Sequence, residues 1–151
     1  MRNDRQLMTL FGRCLLGSMF ILSAVSKLVD PQAAQQHMAA LGLTSGTAFW
    51  YWGAITLELV GGLSVLLGAW TRIGAGMLML FLIPMTFFLH SNVSDPSHFA
   101  QLLMNLGIVG GLLYVAVFGA GPISIDSAWT RQLQEEEGLY GDEALSRRRS
   151  A

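Results

Sequence analysis

Charge is scarce in this chain. Asp, Glu, Lys and Arg make up 13% of the sequence, against about 25% in an ordinary soluble domain. Much of the surface is therefore expected to avoid water. Cysteine is nearly missing: the single Cys14 excludes an internal disulfide, a CxxC redox pair and a cysteine-rich metal site. Any electron chemistry would have to be supplied from elsewhere. The formal net charge is −1, which leaves no basic surface for nucleic acid and removes that partner class.

Long apolar runs take the place of charge. The chain is 52% hydrophobic, with mean hydropathy +0.48. Its 151 residues fit one domain. A spanning helix needs about 20 mostly apolar residues, and four segments approach that, Leu7–Leu28, Ala48–Trp70, Ile73–His90 and Phe99–Phe118. Pro84 in the third should bend it, with neighbouring helices satisfying the freed carbonyl. Between the first two spans runs a longer loop with room for a short surface helix ending at Gly42. The pair Thr71–Arg72 reads as a tight turn, and residues 91–97 as a short polar loop. Short connections make successive helices antiparallel neighbours. The expected fold is all-α: an integral-membrane, antiparallel up-down bundle of four transmembrane helices over residues 1–126, followed by a polar tail, residues 127–151.

Orientation follows from Lys and Arg. With four spans, Arg2, Arg5, Arg72, Arg131 and the run Arg147–Arg149 share one side, with Arg13 just inside the membrane, whereas only Lys27 lies on the other. Both termini are expected in the cytoplasm. The opening "MRNDR", the apolar run and "SAVS" also resemble a secretory signal peptide. Three further spans downstream favour a retained first helix.

The few polar residues inside the spans are the candidates for function. Glu58 stands near the middle of the second span, where an acidic group costs roughly 2.5–3.5 kcal/mol. Such groups usually face the protein interior, as part of a functional site or a buried pair. Tyr51, Ala54, Ile55, Glu58, Gly61, Gly62 and Val65 fall on one helical stripe, whose small residues allow close helix approach. Arg13 and Lys27 bracket an apolar stretch that rises about 20 Å, so both could snorkel outward. Alternatively Arg13, Gly17, Phe20, Ala24 and Lys27 form one inward face, and either cation could meet Glu58 or an anionic ligand. His90 ends the third span. His98, Gln101 and Asn105 make a polar stripe entering the fourth, and Gly107 and Gly111 a GxxxG pair. The candidate ligand-binding set is Arg13, Lys27, Glu58, His90, Gln101 and Asn105, forming a pocket open to the outside and floored by Glu58. The spacing of His90, Asp95 and His98 matches no dedicated metal site, so no metal is expected.

Four stretches resemble the DoxX family of small bacterial four-helix membrane proteins: "GRCLLGSMFILSAVSKL", "LELVGGLSVLLGAWTRIGA", "FFLH" and "NLGIVGGLLYVAVFGAGPISID". The resemblance covers about residues 10–126. It implies a multi-pass protein of the bacterial inner membrane. It also marks Arg13, Lys27, Glu58, Arg72, His90, Asn105 and Asp126 as the family's polar positions, without giving any of them a catalytic role. The family is named for a subunit associated with a quinol oxidase and a thiosulfate:quinone oxidoreductase, and other members carry only a general oxidoreductase label.

The leading expectation is therefore an accessory subunit of a quinone-linked redox system, with no built-in redox cofactor. Quinone would be the small-molecule partner, in a pocket lined by Phe20, Tyr51 and Phe87, and a second protein would supply electrons. The alternatives are a non-catalytic membrane anchor or assembly factor for a soluble partner, and a small-solute transporter. A homodimer through the Gly107/Gly111 face is left open.

Overall fold

The computed structural model describes residues 2–40, 46–89 and 96–149. Six helices follow in order: α1 (Arg2–Val29), α2 (Pro31–Ala40), α3 (Thr47–Leu67), α4 (Thr71–Leu89), α5 (Pro96–Phe118) and α6 (Ile125–Arg149). No strand occurs among the described residues. Three helical stretches are long and apolar enough to cross a membrane, Gln6–Val29, Thr47–Leu67 and Phe99–Phe118. The apolar part of α4, Thr71–Phe87, is shorter and rises about 26 Å, against a hydrocarbon core of about 30 Å.

α1 packs on α3, α3 on α4 and α4 on α5, while α5 touches α1 and α2 lies against α3 and α1. The inward stripes match the periodicity of the sequence. The buried residues of α3 are Tyr51, Ala54, Ile55, Glu58, Gly61, Gly62 and Val65, the same seven that the helical period selects. On α1 the buried set Arg13, Gly17, Phe20 and Ala24 leads to half-buried Lys27, so this face turns inward and Arg13 does not snorkel out. One apolar cluster joins Phe20, Val65, Leu78 and Leu112. A second, under α2, joins Ala24, Met38, Tyr51 and Ile55.

Glycines set how closely α1 and α3 approach. A Cβ at Gly17 would lie 2.8 Å from the Gly62 carbonyl oxygen and 2.9 Å from the Leu66 amide nitrogen, and one at Gly62 would lie 3.1 Å from the Gly17 oxygen. These are backbone atoms, which cannot swing aside. Gly107 meets nothing within 4 Å, whereas Gly111 faces Leu16 of α1. The GxxxG pair is thus split, with only Gly111 in a helix contact inside the chain.

The turn between α3 and α4 is one residue-triplet earlier than expected. Gly68 closes α3 in the left-handed conformation, its N–H bonded to the Ser64 carbonyl, as in common helix C-caps. Trp70 is also left-handed, at φ 51, an unfavourable state for a bulky side chain that costs about 1–3 kcal/mol. Asp126 holds it there. Its carboxylate accepts the N–H of Trp70 at 2.7 Å, the N–H of Thr71 at 3.1 Å and the Thr71 hydroxyl at 2.9 Å. The Asp126 N–H in turn donates to the Gly68 carbonyl. One side chain thereby caps α4 and fixes the start of α6. The polar tail lies in α6, which begins at Ile125 beside this clamp.

Burial pushes the Asp126 carboxyl up, but the Thr71 and Trp70 amides, the Thr71 hydroxyl and the charge of Arg13 outweigh it and hold the group below its ordinary value. The clamp is therefore complete above the ordinary Asp value of about 3.9 and weakens as pH falls through the lower native value.

Two outcomes are expected. Gly17→Ala should destabilise the folded protein by about 1–3 kcal/mol through overpacking. Gly12→Ala, with open space at its Cβ, should be neutral or gain up to about 1 kcal/mol in helix propensity. Thermal midpoints in detergent check the pair. For the clamp, tryptophan fluorescence should show a transition below about pH 4 that Asp126→Asn abolishes, with the variant already resembling the acid form at neutral pH. Trypsin should cut that variant after exposed Arg131 roughly fivefold faster, the loss expected for a helix cap of about 1 kcal/mol.

Candidate functional site

The buried charge of α3 has one main partner. Lys27 Nζ donates to Glu58 Oε2 at 2.7 Å and to Oε1 at 2.9 Å. It also donates to Ser23 Oγ at 2.7 Å, and that hydroxyl lies 3.3 Å from Glu58 Oε1, to which it donates. Ser23 stands four residues before Lys27, on the same face of α1. Tyr51, two turns before Glu58 on α3, donates its hydroxyl to the Lys27 carbonyl at 2.8 Å. That bond ties the end of α1 to α3.

All three ammonium donors of Lys27 are thus used, and the carboxylate accepts from both Lys27 and Ser23. Glu58 is 4% exposed, and the Lys27 side chain is 19% exposed. The carboxylate is therefore covered by its partners, not bare at the floor of an open pocket. Lys27 reaches both carboxylate oxygens from α1. Access to the pair, if any, lies on the Lys27 side. In surroundings this apolar the attraction is only weakly screened.

Arg13 is elsewhere. It is 3% exposed, and its guanidinium donates to carbonyls: Ala120 through Nη1, Ile123 through Nη2 at 3.0 Å and, at the margin, Leu66 at 3.5 Å. Leu66 lies in the last turn of α3, where carbonyls lack helical partners. Ala120 and Ile123 belong to the connection between α5 and α6, which is kinked by left-handed Gly119 and Gly121. Arg13 therefore ties two chain segments, the end of α3 and the α5–α6 connection, to α1. It does not meet Glu58. Its Nε is the one buried side-chain nitrogen without a partner among the described residues.

The expected outer polar stripe separates. Asn105 donates to Thr86 Oγ1 at 3.2 Å, joining α5 to α4, while Gln101, one turn earlier, is exposed. A cleft of about 240 Å³ beside them is lined by Ile83, Thr86, Phe87, Leu102, Leu106 and Val109. Phe87 is exposed, whereas Phe20 and Tyr51 are packed in separate clusters, so the three do not line one cavity. His90, Asp95 and the side chain of His98 lie outside the described residues.

Ser23 and Thr86 were missed as members of these networks. The signal for Ser23 was its i, i+4 relation to Lys27. Nothing in the sequence ties Thr86 to Asn105, because that bond is set by how α4 packs on α5.

The DoxX family model matches residues 8–91, which span α1 through the end of α4 and include Arg13, Lys27 and Glu58. "Inner membrane protein YqjF" of Escherichia coli (strain K12) is 34% identical over 117 residues, covering 78% of this chain and 88% of that protein. No solved structure matches. Three apolar helices of spanning length, with a lysine–glutamate pair buried between two of them, agree with both likenesses: the chain belongs to the DoxX family and is an integral protein of the inner membrane.

Proposed function

We propose that this protein is a membrane-embedded accessory subunit of a quinone-linked redox system, and that Lys27 and Glu58 are its proton-holding pair. The observation that carries the reading is the pair itself, an ion pair buried between α1 and α3 with Ser23 as a third member. A quinone takes up protons together with electrons. Lys27 and Glu58 supply an ammonium and a carboxylate that can trade a proton in an apolar layer. Electrons come from a partner protein. A ring carbonyl would take the place of the Ser23 hydroxyl on Lys27, approaching from the partly exposed lysine side.

The proposed topology has α1, α3, α4 and α5 all crossing the bilayer, with α4 short and both termini in the cytoplasm. The excess of Arg at that end supports it. A second reading is favoured by α6, a mostly exposed polar helix whose exit is fixed by Asp126. It would recruit a soluble partner by charge, the rest of the chain serving as its anchor.

Quinol oxidation in membrane vesicles from a deletion strain, complemented with each variant, tests the main reading. Glu58→Gln should reduce the rate to the deletion baseline. Breaking one side of a buried pair also costs about 3–5 kcal/mol of stability, so a second variant is needed. Lys27→Met with Glu58→Leu removes both charges, which is often neutral for folding. It should reach the membrane at wild-type level and still fail. A wild-type rate from the double variant would refute the proton role. Loss on deleting residues 128–151 alone, with the double variant active, would favour the anchor. For topology, a C-terminal green fluorescent protein fusion should fluoresce and a C-terminal alkaline phosphatase fusion should be inactive, and the reverse pattern would invert the orientation.

A further inference from the structure

We infer that the groove between the start of α4 and the first turns of α6 binds an anionic phospholipid of the leaflet it faces. The groove encloses about 700 Å³. It lies where α3 and α5 end, at Leu67 and Phe118, and therefore at the level where hydrocarbon gives way to headgroups. Its walls are amphipathic. Ile73, Phe118 and Leu133 are exposed apolar side chains, and Trp70 and Trp129 flank them. Tryptophan favours this depth because one edge of the indole is apolar and the other donates a hydrogen bond.

Charge selects the occupant. Arg72 lines the groove, and among the described residues it has no hydrogen-bond or ion-pair partner. Its Nε sits over Gly119, where an added Cβ would come within 3.4 Å. Asp126, the acidic residue of the groove, is already engaged by three donors from Trp70 and Thr71. It is also offset by the charge of Arg13. The available charge is therefore positive. Ser127 and Thr130 add hydroxyls beside it.

A second observation points the same way. Ile125, Trp129 and Leu133 follow at i, i+4, i+8 and are all exposed, on a helix whose remaining described positions are largely polar. A helix lying in water gains nothing from such a stripe, whereas one lying in the interface buries it. The apolar walls also distinguish a lipid from a free anion. A phosphate alone would leave Ile73 and Phe118 uncovered, and acyl chains would cover them. The headgroup phosphate would then meet Arg72. This inference does not rest on the role of Lys27 and Glu58.

Full-length protein in a nonionic detergent is titrated with phosphatidylglycerol, phosphatidylcholine or inorganic phosphate, with bound lipid counted by native mass spectrometry. Phosphatidylglycerol should bind about fivefold tighter than phosphatidylcholine, the increment expected of one basic residue at a lipid surface. Arg72→Gln should erase that preference, and Trp129→Ala should weaken both lipids alike. Arg72 is exposed and has no partner among the described residues, so its variant should keep the wild-type melting temperature. Unchanged preference in Arg72→Gln, unchanged lipid binding in Trp129→Ala, or inorganic phosphate displacing phosphatidylglycerol at equal concentration would each overturn the assignment.

Discussion

A charge placed among apolar helices must find a partner inside the protein, and this requirement organises the molecule. Water is not there to solvate it, and the penalty for a bare ion is several kcal/mol. Among the described residues of the spans, the charged side chains Arg13, Lys27 and Glu58 meet the requirement in two ways. Lys27 and Glu58 neutralise each other between α1 and α3. Among the described residues Arg13 has no ion-pair partner, and it is satisfied by backbone carbonyls of the α3 end and the α5–α6 connection. The rest of the packing accommodates these two solutions. Gly17 and Gly62 let α1 and α3 come close enough for a lysine to span the gap. The left-handed Gly119 and Gly121 flank Ala120, whose carbonyl accepts from Arg13 of α1.

Helix faces were readable in the sequence because a single periodic rule governs them. The seven buried residues of α3 and the inward face of α1 follow from 3.6 residues per turn and the exclusion of charge from lipid. Element ends were less readable. The α3–α4 turn depends on Trp70 accepting a left-handed backbone, and that depends on Asp126, more than fifty positions later. Local propensity cannot anticipate a cap supplied from so far away. The same long-range bond lies at the start of α6.

The site was readable in composition but not in pairing. Depth along a span can be counted, so Lys27 and Glu58 could be placed near each other. Rotation about the helix axis and side-chain reach decide contact, and a single sequence constrains them weakly. Gln101 and Asn105 show the difference. They lie one turn apart on what reads as one polar stripe, yet only Asn105 faces α4, where Thr86 waits. Arg13 shows it more sharply. Its inward face was one of two readings, beside snorkelling outward, and its partners are carbonyls, which any residue supplies and no sequence pattern advertises.

The two solutions also differ in chemistry, and the difference bears on function. A guanidinium remains charged in essentially any protein environment, and its flat fork suits several carbonyls at once. Such a group holds chain segments together and exchanges no proton. An ammonium hydrogen-bonded to a carboxylate can return to a neutral pair by moving one proton over less than the 2.7 Å that separates the heavy atoms. Had the chain needed only a brace between α1 and α3, apolar side chains of similar volume would have served as well or better. A titratable pair at that position is what the proton-holding role proposed for Lys27 and Glu58 requires.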